Sequence, residues 1–195
     1  MKHTFDYYET NAKSYYKQTC NIDPTPFLTV VTKRLSPGAK ILDVGCGSGR
    51  DILWLKQKGY HVQGLERAPH MAELATIHSG CQVIVANFET YNFSDLECDA
   101  ILLVGSLVHL PHLKLPAVLK RILDGLNKDG YMYLSLKQGK ATSVTHQGRT
   151  FSLWQRNQLE AVFSDVGLQP VHFSKNISPI YPSDVWLGYL LSRKT

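Results

Sequence analysis

Apolar residues fall into two alternating patterns along this chain. Short runs of branched and long side chains, such as KILDV at 40–44, DAILLV at 99–104 and YMYLSL at 131–136, alternate with stretches whose apolar positions recur every three or four residues. The first pattern predicts strands and the second amphipathic helices. Helices are predicted over 6–19, 25–35, 51–58, 69–79, 116–126 and 154–166. Strands are predicted over 40–44, 61–65, 82–86, 99–104, 131–136, 171–174 and 185–191. Ser36-Pro37-Gly38 and Asn127-Lys128-Asp129-Gly130 are turn signals, and Gly59 and Gly167 close the helices before them. Strand–helix alternation predicts a parallel sheet with helices on both faces. The last two strands lack an intervening helix, which predicts a hairpin and an antiparallel strand at the sheet edge. DAILLV is apolar almost throughout, as expected of a strand buried on both faces.

Composition narrows this little. The 195 residues, 44% hydrophobic and 19% charged, fit one globular domain. The formal charge of +5 is spread without a basic run, which argues against a nucleic-acid partner. The polar, aromatic start MKHTFDYYET has no signal-peptide core, and no run approaches the ~18 apolar residues of a membrane span. Cys20, Cys46, Cys81 and Cys98 show no metal-ligand spacing, so no metal is expected. The expected setting is the cytoplasm, with no membrane partner.

The chemistry is concentrated at ILDVGCGSGRD, residues 41–51. A predicted strand runs into Gly45, Gly47 and Gly49, and a helix follows. In a parallel sheet this places a ligand-accommodating loop at the strand's C-terminal end. A dinucleotide fingerprint needs GxGxxG, but the glycines fall GxGxG with Arg50 next. A phosphate-binding P-loop needs a Gly-Lys-Ser/Thr ending that is absent. Asp43 precedes the loop, which disfavours a pyrophosphate and suits a ligand carrying positive charge or donors. Glu66 ends the second strand, seventeen residues past Gly49, where an acid in nucleotide folds accepts ribose hydroxyls. Asn87 and Phe88 end the third strand, an amide for an adenine edge and a ring for its face. Together these describe a pocket for an adenosine that lacks phosphates and carries an amino-acid tail.

These motifs resemble the class I S-adenosylmethionine-dependent methyltransferases. ILDVGCGSGRD matches their first motif, GLERAP the second, ANFETYNF the third, DAILLVGSLVHLP the fourth and ILDGLNKDGYMYLSLKQG the fifth, from about Tyr8 to Leu191. Within the class the chain is most similar to small tellurite-resistance-like members, methyltransferase type 11/25 domain proteins, on GSGRD, SLVHL, SLKQG, GRTF and VWLGYLLSRK. The resemblance implies a doubly wound Rossmann-like, mostly parallel seven-stranded sheet with an antiparallel edge strand, in three α/β/α layers. It implies one domain, with 1–36 as a helical lid and 37–195 as the core. S-adenosylmethionine would be the cofactor and S-adenosylhomocysteine the product. Cofactor contacts are implied at Tyr15, Asp43, Gly45, Cys46, Gly47, Glu66, Arg67, Met71, Asn87, Phe88 and Val104. Two departures stand out: Asn87 replaces the usual third-strand acid, and Glu66-Arg67-Ala68 replaces Asp-Pro-Ser.

Tyr8 and Tyr15 are seven residues apart and share a helix face, where they would cover the cofactor or simply pack. His109 follows the fourth strand, where acceptors approach; it is a candidate general base, or a loop residue that packs. Tyr8, His109 and Arg149 are the candidate acceptor contacts, with Lys137 a further cation. His112 is expected in solvent and Trp186 in the core. A chain this short leaves no separate recognition domain, so a small-molecule acceptor is expected. The alternatives are a nucleic-acid or protein methyltransferase and, in another class, a non-catalytic module that binds the cofactor or its product. A dehydrogenase stands further off.

Overall fold

The computed structural model describes residues 7–194. Residues 7–10 are helical, Asn11 is a turn, and α1 follows over Ala12–Thr19. The single helix expected over 6–19 is therefore interrupted, and Asp6 lies outside the described residues. The remaining helices are α2 (Thr25–Thr32), α3 (Arg50–Gln57), α4 (Pro69–Ser79), α5 (Leu115–Leu123) and α6 (Arg156–Asp165). The strands are β1 (Lys40–Val44), β2 (His61–Glu66), β3 (Val83–Val85), β4 (Cys98–Val104), β5 (Leu126–Lys137), β6 (Ser143–His146), β7 (Arg149–Ser152), β8 (Leu168–Ile177) and β9 (Val185–Arg193).

Seven strands form one sheet in the order β3-β2-β1-β4-β5-β9-β8, and β6 pairs with β7 as a separate hairpin. β1 is parallel to β2 and β4, β2 to β3, and β4 to β5. β9 runs antiparallel to both β5 and β8. The antiparallel strand thus lies one place in from the edge, and β8 is outermost. The two sequences explain the order. Leu187, Tyr189, Leu190 and Leu191 are fully buried, so β9 needs cover on both faces and both edges. Beyond the buried Leu168, β8 alternates half-buried and exposed positions, as an edge strand can.

Alternation along the central strands builds the three layers. Ile41, Ala100 and Leu102 face Leu28 of α2 and Leu55 of α3. Leu42, Ile101 and Leu103 face the other way, onto Leu119 of α5 and Leu159 of α6. β4 is fully buried from Ala100 to Leu103, as its composition predicts. α2 belongs to this core rather than to a lid, because Leu28 and Val31 are completely covered. The helical segment 7–19 lies over the C-terminal ends of the strands, held through Ala12 against Met71 of α4, and Phe27 at the start of α2 reaches the same region.

Two local differences from the sequence expectation matter later. The expected turn at 127–130 lies inside β5, where a register shift near Cys98 and Ala100 absorbs it. The β6–β7 hairpin was not predicted at all. Its two connecting residues, Gln147 and Gly148, both have positive φ (49° and 74°), which is the geometry of a tight two-residue hairpin turn.

Candidate functional site

The strand order reverses between β1 and β4, so a crevice opens at their C-terminal ends. The glycine loop fills its floor. Gly45, Gly47 and Gly49 take φ of 72°, 53° and 75°, conformations that side chains with a Cβ rarely adopt. The Gly45 and Cys46 N–H groups both donate to the Leu65 carbonyl at 2.6 and 3.2 Å, which pins the loop to the end of β2. A Cβ on Gly45 would sit 2.4 Å from the Cβ of Ser106, and one on Gly47 would reach to 3.7 Å from the Tyr15 ring. Bare backbone here is what keeps the crevice open.

Glu66 organises this loop. Its Oε2 accepts the Gly47 N–H at 3.1 Å, and its Oε1 accepts those of Arg67 and Ala68 at 2.7 and 3.0 Å. A carboxylate offers about four acceptor positions, so capacity remains for a ligand hydroxyl. Burial pushes the Glu66 carboxyl upward, with the three N–H groups opposing. Asp43 is 2% exposed and its Oδ2 has no hydrogen-bond partner. Burial, then the charges of Asp51 and Glu66, hold its carboxyl well above the usual range, against the pull of Arg50. Cys46 is buried with its thiol pushed up by burial and by the charges of Asp43 and Glu66, so it remains a neutral, small side chain.

Two connected cavities lie above the loop. The first, of about 120 Å³, is lined by Glu66, Arg67, Met71 and Phe88, with Glu89, Ser106 and His109. The second, of about 220 Å³, is lined by Asp43, Cys46 and Arg50 on one side and by Lys137, Arg149, Phe151 and Trp186 on the other. Tyr8, Tyr15, Gly45, Gly47 and Val104 line both. Every residue singled out from the sequence as a cofactor or acceptor contact therefore reaches one cavity or both, except Asn87. The Asn87 Oδ1 accepts the Glu89 N–H at 3.1 Å, closing a turn, and the neighbouring Phe88 and Glu89 line the cavity in its place.

The covering helix touches the core through three histidines. The Tyr16 hydroxyl meets His78 Nδ1 at 3.0 Å, Glu9 pairs with His70, and the Tyr8 hydroxyl lies 2.9 Å from His109 Nε2. His109 Nδ1 is 2.7 Å from the Thr150 carbonyl, which can only accept. The ring proton is therefore on Nδ1, and Nε2 accepts from Tyr8. Burial pushes the His109 pKa down to about 4; the Thr150 bond opposes this, and the charges of Arg149 and Lys137 add to it. Tyr8 and Tyr15 pack edge to face at 5.0 Å, as their spacing predicted. Burial raises both phenols.

Ser106 and Trp186 are cavity residues that the sequence pattern does not single out, and Lys137, a candidate cation, has a partner that the pattern does not show. Ser106 Oγ is buried without a partner on the first cavity's wall. Lys137 is buried and paired with Asp184, forty-seven residues away. Trp186 is half-buried and lines the second cavity as well as packing on the core. His112 is not free in solvent: its ring stacks on Trp154 at 3.7 Å, and Nε2 meets the Leu153 carbonyl.

Comparison with known proteins agrees with this geometry. Residues 41–130, a little under half the chain, match the family described as methyltransferase domain. A ubiquinone biosynthesis O-methyltransferase of Xanthomonas axonopodis is 29% identical over 115 residues, covering 55% of this chain and 47% of that protein. The chain spans about half the length of the curated relatives it matches. Among solved structures, a 1,6-didemethyltoxoflavin-N1-methyltransferase from Burkholderia thailandensis superimposes with TM-score 0.78 at 18% identity, over 98% of this chain and 86% of that one. A TehB-like S-adenosylmethionine-dependent methyltransferase from Corynebacterium glutamicum superimposes with TM-score 0.66 at 20% identity over the whole of both chains. The sequence match at residues 41–130 is thus to a methyltransferase domain, and the fold of the chain is that of the superimposed methyltransferases.

Proposed function

We propose that the protein binds S-adenosylmethionine and methylates a small-molecule acceptor. The observation that carries this reading is the pair of cavities meeting over the glycine loop beneath Tyr8 and Tyr15. The residues fit the cofactor on two counts: the loop backbone leaves a cradle that a Cβ on Gly45 would fill, and Asp43 Oδ2 is buried without a partner. In this reading the nucleoside lies in the first cavity, with Glu66 and Arg67 at the ribose and Met71 and Phe88 against the base. The amino-acid tail lies over Gly45–Gly47, with its ammonium group toward Asp43. The acceptor occupies the far side of the second cavity. When bound, the cofactor supplies a methyl group on a sulfonium, already a good electrophile, for in-line displacement by the acceptor.

The chain's own part is chiefly positional. The helical segment 7–19 acts as the lid over residues 37–195, excluding water and setting the acceptor's line of approach. No helix among the described residues is long and apolar enough to cross a membrane. Cavities of this size suit a small acceptor, and the Burkholderia protein was crystallised with one. His109 serves as a holding residue. Its accepting nitrogen is occupied by Tyr8, and burial disfavours its charged form. An acceptor that is already anionic or soft needs no base at all.

This assignment of His109 has a pH signature. The unfolded imidazole takes up a proton near 6.5, whereas the folded one resists until about 4. Between these values the unfolded state holds more protons, so this contribution to stability rises with pH and is lost as pH falls through the window. Melting temperatures between pH 4 and 7 are expected to fall more steeply for the native protein than for His109→Gln. Parallel curves would remove the buried neutral imidazole from the account. The reaction itself is tested by supplying S-adenosylmethionine with thiols, phenols, amines and carboxylic acids. Formation of S-adenosylhomocysteine with at least one small acceptor is expected. Tight cofactor binding without turnover on any acceptor would instead favour a binding module.

A further inference from the structure

The second cavity holds three cationic side chains, and they are not equivalent. Arg50 is engaged by Asp51 through two bonds, Nε to Oδ1 at 2.7 Å and Nη2 to Oδ2 at 2.8 Å. Lys137 is paired with Asp184. Arg149 has no carboxylate within ion-pair distance among the described residues, although it is only 5% exposed. Its Nη2 donates to Gln147 Oε1 at 3.2 Å, and its Nε is buried without a partner. The guanidinium lies against rings instead, 4.3 Å from the centre of Tyr7 and 5.2 Å from that of Phe151. Such contacts favour a desolvated cation. They do not replace a counter-charge, and a buried cation without one is costly.

We infer that Arg149 is the anchor for a carboxylate-bearing organic acceptor whose apolar body lies against Phe151 and Trp186. This rests on reading the far side of the second cavity as the acceptor's. A guanidinium presents paired N–H groups that match a carboxylate's two oxygens, and a free Nε is one of the donors such a fork requires. The walls around it argue for an organic body rather than a compact inorganic ion. Phe151, Trp186, Ile180 and Phe27 line the same cavity of about 220 Å³, leaving an apolar volume that a hydrated oxyanion would not fill. Arg149 is also placed to select: it sits on β7, which the sheet does not bind, and holds Tyr7 and Tyr8 of the covering helix by their rings.

The test is calorimetric titration of the protein saturated with S-adenosylhomocysteine. The probes are benzoate, 4-hydroxybenzoate, phenylacetate and hexanoate, the corresponding amides, and selenite as an inorganic oxyanion. At least one carboxylate is expected to bind about ten-fold or more tightly than its amide. Arg149→Gln is expected to erase that preference and Arg149→Lys to restore part of it, while both bind S-adenosylhomocysteine within about three-fold of the native affinity. Equal binding of acids and amides by the native protein, binding of none of the probes, or preference for selenite overturns the inference. So does an Arg149→Gln protein that loses S-adenosylhomocysteine but keeps the acids, since the arginine would then serve the cofactor's own carboxylate. Failure of the native protein to bind S-adenosylhomocysteine is a separate result, which strikes the proposed function.

Discussion

Gly45→Val is expected to lower affinity for S-adenosylhomocysteine by at least about 100-fold. Two effects combine. The residue has φ of 72°, where an ordinary side chain costs roughly 1–2 kcal/mol and a β-branched one more. The new Cβ would also lie 2.4 Å from Ser106 Cβ, so one wall of the crevice has to move. The loop cannot simply rotate away, because the Gly45 N–H is held at 2.6 Å by the Leu65 carbonyl. Gly59→Ala is the control. It too has positive φ, 86°, but its Cβ would meet nothing within 4 Å, so it is expected to cost only about 1 kcal/mol of stability with binding unchanged. Calorimetry and thermal unfolding of both variants separate strain from obstruction. A folded Gly45→Val protein with native affinity would show that the loop does not line the cofactor site.

Glu66→Gln is expected to be nearly as damaging, although it preserves size. The carboxylate accepts N–H groups on both oxygens. An amide has one oxygen, so its NH₂ must face either the Gly47 N–H or those of Arg67 and Ala68, donor against donor. Each donor left unsatisfied costs about 1–3 kcal/mol. The expected result is a fall in unfolding free energy of about 2–4 kcal/mol by urea titration, together with roughly 10- to 100-fold weaker cofactor binding. Unchanged stability with weakened binding would mean that Glu66 serves only the ligand. Unchanged binding with lowered stability would mean that it serves only the loop.

The sequence was most readable where local chemistry and global position coincide. A buried strand ending in alternating glycines, with an acid at the end of the next strand, has few structural uses, and 40–51 and 61–66 fold as that pattern implies. The contact of Tyr8 with Tyr15 was legible, because seven residues of helical spacing bring their rings together. Contacts remote in sequence were not legible. Lys137 meets Asp184, and His109 meets both Tyr8 and Thr150, through packing that no local pattern encodes. Asn87 was placed at the cavity because it ends a strand, yet its amide closes a turn and leaves Phe88 and Glu89 to line the wall. The β6–β7 hairpin was hidden because Gln147-Gly148 is a weaker turn signal than Asn-Gly or Asp-Gly. β6 is exposed throughout and carries little apolar alternation. That omission matters, since β7 delivers Arg149 and Phe151 to the wall of the second cavity.

The central claim is that bare backbone over Gly45–Gly49 makes room for an adenosine with a charged amino-acid tail. Calorimetric titration of the native protein with S-adenosylmethionine and S-adenosylhomocysteine, with NAD as the comparison ligand, tests it most directly. Saturable one-to-one binding of both sulfur nucleotides, with none of NAD, is the predicted result. Binding of NAD alone, or of no ligand by the folded protein, would contradict it.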